Sequence, residues 1–112
     1  MKYMLLVYDN PANWESVTEE QMQGLYAEYA AVTQNPATVH SAQLKPVETA
    51  KTVRINGGDT LTTDGPFAET KEQLGGYYLV DTDSIEDAVA IAATIPSARL
   101  GGSIEVRPIV EM

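Results

Sequence analysis

Two short runs constrain this chain more than anything else in it: residues 2–8 and 77–80 each place large apolar side chains on both alternating faces. In the first, Tyr3, Leu5 and Val7 point one way and Met4, Leu6 and Tyr8 the other. A strand wetted on one side alternates apolar with polar, so both runs read as central strands covered above and below. The chain has 112 residues, enough for one domain with a single core. Any active site therefore shares residues with the fold.

The segments between these strands carry their own boundaries. Thr18-Glu19-Glu20-Gln21 is a capping-box pattern, and Met22, Leu25, Tyr26, Tyr29 and Ala30 follow at helical spacing until Asn35-Pro36. This predicts a helix over Glu19–Thr33. Residues 40–45 give a weaker strand signal. β-Branched residues return over 49–55, and Asn56-Gly57-Gly58-Asp59 separates them from 60–63 as a hairpin turn would. Ser84 caps a second helix with Glu86 and Asp87 in its first turn, an apolar stripe of Ile85, Ala88, Val89, Ala92 and Ile95, and Pro96 as its stop. Gly101-Gly102 then leads into a last strand over 104–110. Strand, helix, strand with hairpin, strand, helix, strand is the split βαβ order of an α+β, ferredoxin-like fold with an extra β-hairpin. Both helices of that topology lie on one face of the sheet. The other face is then a large apolar patch that calls for a cover, and a second copy of the chain is the simplest one, pairing two sheets into a dimeric α/β barrel.

Composition excludes several classes of function. The net charge is −9, with acids spread along the chain, a field that repels phosphate backbones and anionic lipid. Nucleic acid and membrane are therefore not expected partners. With no cysteine, thiolate nucleophiles and Cys-ligated zinc are excluded. Asp9-Asn10-Pro11 interrupts the apolar start before a signal-peptide core develops, and no stretch approaches a membrane span, so a cytoplasmic protein is expected. No glycine pair opens a helix as a dinucleotide site requires, and no nucleophile elbow surrounds a serine. Residues 81–92 begin like a calcium loop but hold Glu86 where glycine is needed and Ala92 where the closing glutamate belongs. No cofactor and no metal site is expected.

The remaining signal is Asp64-Gly65-Pro66-Phe67-Ala68-Glu69-Thr70-Lys71-Glu72-Gln73-Leu74-Gly75-Gly76, too polar for a core strand and too rich in breakers for a helix. A charged loop entering a buried strand is where pockets form. With the closing Ser103-Ile104-Glu105-Val106-Arg107-Pro108-Ile109, this run resembles the YCII-related family, in particular its DGPF branch, over nearly the whole chain. The resemblance implies a small dimeric α/β barrel whose activity is largely unassigned. It places Asp64 in the defining motif, and it links DGPF members to neighbouring extracytoplasmic-function sigma factors. Relatives outside that branch carry a His and Asp pair, but their histidine lies in the helical part, where this chain has none.

Asp64 and His40 are the candidate catalytic residues. Asp64 is the candidate proton-transfer group, and His40, the single histidine, is the one side chain that titrates near neutrality unperturbed. The competing reading of Asp64 is a turn residue before Gly-Pro, bonding nearby amides. Candidate ligand contacts are Tyr8 at a strand end, Arg54 as a cation facing opposite to Val53 and Ile55, and Gly65, Pro66, Phe67, Glu69 and Lys71 of the motif. Two functions follow. One is a cofactor-free enzyme doing acid–base, isomerase-like chemistry on a small polar metabolite; the other is a non-catalytic ligand-binding or accessory protein, linked by the resemblance to sigma-factor regulation.

Overall fold

In the structure, a computed structural model that describes residues 1–66 and 71–111, four strands form one antiparallel sheet. They are β1 (Lys2–Asp9), β2 (Thr38–Gln43), β5 (Gln73–Asp81) and β6 (Ser103–Pro108), in the order β2-β5-β1-β6. The two strands that are apolar on both faces, β1 and β5, lie side by side in the middle as expected. Strands β3 (Lys51–Asn56) and β4 (Asp59–Asp64) form a separate hairpin. Gly57 and Gly58 both have positive φ at its tip, as a tight two-residue turn requires.

Helix α1 (Glu19–Thr33) starts at the predicted capping box, with Thr18 Oγ1 accepting from Gln21 N and Gln21 Oε1 accepting from Thr18 N. Helix α2 (Ile85–Ala92) is capped by Ser84, whose hydroxyl accepts from Asp87 N. Both helices cover the face of Tyr3, Leu5 and Val7, where Val32, Tyr78, Val80, Ala88, Ala92 and Ile95 complete the core. The buried stripe of α1 runs through Leu25 and Val32 with Tyr29 packed beside it, which leaves Tyr26 62% exposed although helical spacing placed it inward. Likewise Ile85 and Val89 face outward on α2, because the sheet meets the line through Ala88, Ile91, Ala92 and Ile95.

The opposite sheet face carries Met4, Leu6 and Tyr8 of β1 and Tyr77 and Leu79 of β5, all half-buried, with His40, Glu105 and Arg107 on the flanking strands. No element of the described chain lies over it. The molecule measures 45 × 42 × 18 Å. Its short axis fits one sheet and one helix layer, at roughly 10 Å per layer. The hairpin widens the slab: Val53 is 60% and Ile55 71% exposed, and β3 and β4 pack mainly on each other.

Two boundaries differ from expectation. Strand β5 starts at Gln73, so Gly75-Gly76 lie inside it, and β4 runs to Asp64, so the motif's first residue is a strand end. Beside β1, Gly75 falls out of register between the pairs Val7↔Gly76 and Tyr8↔Leu74, a bulge that adjusts the aim of Tyr8 and Asp9. At the entry to β6, the backbone of Gly102 passes so close that a Cβ there would lie 2.4 Å from Tyr8 O, 2.9 Å from Asp9 Oδ1 and 3.0 Å from Ser97 O. Two of these are backbone atoms that cannot swing away. Gly102→Ala should therefore lower stability by about 1–3 kcal/mol through overpacking, read as a lower denaturant midpoint. An unchanged midpoint would mean that the strand end shifts freely.

Candidate functional site

The motif residues fall into two groups. Asp64 closes the hairpin opposite Lys51, whose Nζ donates to Asp64 Oδ1 at 2.8 Å, and its side chain is 87% exposed. Asp64 thus pairs with a lysine rather than with turn amides, and an exposed pair of this kind contributes little stability. Gly65 N donates to Ala50 O, and Thr52 Oγ1 donates to Gly65 O, so the hairpin base is tied by backbone and hydroxyl bonds. Gly65 and Pro66 are half-buried there, while Lys71 is exposed. Phe67 and Glu69 lie outside the described residues. Arg54 sits exposed on the projecting hairpin rather than facing inward, because that hairpin does not lie on the sheet.

His40 is on β2, exposed on the open sheet face, with its ring 5.7 Å from that of Tyr77. No hydrogen bond or ion pair joins it to Asp64, which bonds to Lys51 instead. The expected proton-transfer pair is therefore not assembled within one chain. The two belong to different sheets.

Tyr8 does reach a concavity. A wide-mouthed hollow of about 490 Å³ is lined by Tyr8, Glu72, Ser103, Ile104 and Glu105, at the end of β1 where the motif segment rejoins the sheet. Ser103 Oγ donates to Glu72 Oε1 at 3.4 Å, and Glu105 faces the Arg107 guanidinium as an ion pair. Glu105 Oε2 is shielded from solvent and meets that guanidinium without hydrogen-bond geometry. In the sequence Glu72 stands only within the charged motif run and Glu105 only within the last strand, since nothing local shows that the ends of β1, β5 and β6 converge.

Behind the same strand end, on the helix side, lies a second polar group. Ser97, fully buried, donates to Asp9 Oδ2 at 3.0 Å and sits 2.6 Å from the hydroxyl of Tyr29. Because the one proton of Ser97 goes to Asp9, Tyr29 is the donor in the other bond. Trp14 packs against Tyr29 with ring centroids 6.4 Å apart. Burial pushes the Tyr29 phenol above its ordinary value of 10.0; the Ser97 bond pulls it down, and the Asp9 charge raises it further. A raised phenol gives stability that is fully present below about pH 10 and lost as pH climbs through the folded value. Tyr29→Phe should thus cost about 1 kcal/mol at neutral pH, by leaving Ser97 without its donor. Above pH 10 the gap to wild type should narrow in denaturant titrations. A constant gap would show that the phenol does not titrate with unfolding.

Among the described residues, no three His, Asp or Glu side chains are grouped to hold a metal ion, and no helix is long and apolar enough to cross a membrane.

A four-stranded antiparallel sheet with two helices on one face and a hairpin outside it defines a ferredoxin-like α+β protein. The chain belongs to the YCII-related domain family, whose profile matches residues 1–112. It is also 35% identical to an uncharacterised protein of Rhizobium meliloti (strain 1021), an alignment that covers 97% of this chain and 92% of that protein.

Proposed function

We propose that this protein is a cytoplasmic homodimer of the DGPF branch that carries out cofactor-free acid–base chemistry, a proton abstraction or isomerisation, on a small polar metabolite. The hollow at the end of β1 holds the substrate. One observation carries the reading: Tyr8 and Glu72 line one concavity where the motif segment rejoins the sheet. Glu72 accepts the proton, its carboxylate steadied by Ser103, and the Tyr8 hydroxyl orients a polar substrate group. Glu105 is held by Arg107 and shapes the rim. Asp64 anchors the hairpin base through Lys51, and His40 lies on the face that the second copy covers.

The test is a screen of lactones, hydroxy acids and sugars for conversion by the wild-type chain, repeated with Glu72→Gln. Conversion by wild type that disappears in the folded variant supports the reading. Equal conversion by both ends it.

A second reading, a non-catalytic ligand-binding or accessory protein with a regulatory partner, is favoured by the 87% exposure of Asp64 and its pairing with Lys51. A motif acid held on the surface by a lysine suits a rim or contact surface better than a reacting centre. Ligand binding in the hollow with no conversion of any bound compound would select it.

A further inference from the structure

The proposed reaction leaves unused a buried polar group on the helix side of the sheet. Asp9, Ser97 and Tyr29 come from the end of β1, the turn after Pro96, and the middle of α1. Their protons all run one way: Tyr29 donates to Ser97, and Ser97 donates to Asp9 Oδ2. A serine with 0% exposure has no freedom to turn elsewhere, so the carboxylate is held in one orientation. Both hydroxyl protons are spent inside the group, and the other lone pairs of Asp9 must find a donor outside it.

Charge narrows the choice of donor. Asp9 is half-buried, and the ion pairs of the described residues join Lys51 to Asp64, Arg99 to Glu28, Arg107 to Glu105 and the terminal amine to Asp81. None of them neutralises Asp9. Hydroxyls supply dipoles but no charge, so the bond from Ser97 orients the Asp9 carboxylate without giving it an ion-pair partner. A chain of net charge −9 draws cations toward such a point and repels anions. The residues packed against the Asp9 carboxylate are Gly75, inside β5, and Gly102, at the entry to β6, neither of which has a side chain to close over it. Trp14 packs obliquely on Tyr29, which brings an indole ring, a side chain that attracts cations, to the same corner of the fold.

We propose that Asp9, oriented by Ser97 and Tyr29, with Trp14 packed on Tyr29, is a binding site for a small protonated amine, separate from the hollow at Tyr8 and Glu72. Asp9 takes the ammonium as ion-pair and hydrogen-bond acceptor. Ser97 and Tyr29 are positioning residues that do not touch the ligand.

Trp14 is the single tryptophan, so its emission reports on this corner directly. The experiment titrates the protein with ethylammonium chloride against sodium chloride at matched ionic strength. A saturable emission change with ethylammonium alone is expected, weakened about tenfold or more in Asp9→Asn, the loss of one charge-assisted hydrogen bond. Glu72→Gln, which removes the carboxylate of the other hollow, should retain the response. No saturation, an equal response in Asp9→Asn, or loss in Glu72→Gln alone overturns the proposal. Should Asp9→Asn fail to fold, amide chemical shifts of the wild-type protein decide it: perturbations grouped at residues 9, 14, 29 and 97 support the site, and perturbations grouped at 72–74 and 103–105 refute it.

Discussion

Glu72→Gln should reduce turnover of a substrate found by screening by about two to four orders of magnitude, the usual cost of losing a general base. Glutamine keeps the shape of the side chain and can still accept from Ser103 Oγ, so the hollow and the melting temperature should be unchanged. Asp64→Asn provides the contrast. It breaks one exposed pair with Lys51, so both turnover and melting should move little. The comparison separates two sources of information about the motif: the resemblance pointed to its first acid, whereas the hollow points to Glu72 beyond it. Turnover lost in Asp64→Asn and kept in Glu72→Gln, with both proteins folded, would reverse the assignment.

The elements were legible wherever local chemistry decides them. Thr18 and Gln21 cap α1 as their spacing requires, Gly57 and Gly58 make the hairpin tip, and β1 and β5 sit centrally because both their faces are apolar. The fold class follows from element order alone. The site was less legible because its members meet only through register. Tyr8 faces Leu74 on one side and Ser103 on the other after a bulge at Gly75, which no spacing in the sequence announces. Asp9, Tyr29 and Ser97 lie on three different elements, and each reads alone as something ordinary: a strand end, a core tyrosine, a serine after proline. Asp64 and His40 stood out for the opposite reason. A motif and a rare residue type are visible in one dimension, yet the hairpin carries Asp64 away from the sheet that holds His40.

A single charge placed on the open sheet face should convert the proposed dimer into a folded monomer. Leu79 is the position for it. It lies on central strand β5, opposite Met4 on one side and His40 on the other, so aspartate there meets no acid directly across the strands. Its side chain points away from the core of Leu5, Val80 and Ile95, and the monomer's packing under the helices is untouched. In a homodimer paired through this face the carboxylate would be desolvated with the His40 ring as its one cross-strand polar neighbour, at a cost of about 3 kcal/mol, or roughly a hundredfold in dimer dissociation constant. A stable interface needs about 800 Å² from each partner. That is close to a tenth of the 7760 Å² surface, an area the apolar strip of Met4, Leu6, Tyr77 and Leu79 anchors at its centre. Light scattering should therefore give twice the chain mass for wild type and the single-chain mass for Leu79→Asp, with unchanged far-UV circular dichroism. The wild-type melting temperature should rise with protein concentration, and that of the variant should not. A monomeric wild type at micromolar concentration would leave the two-sided apolar strands without their cover. A Leu79→Asp variant still dimeric would move the interface off this face, and the exposed Val53 and Ile55 of the hairpin would be the next surface to test.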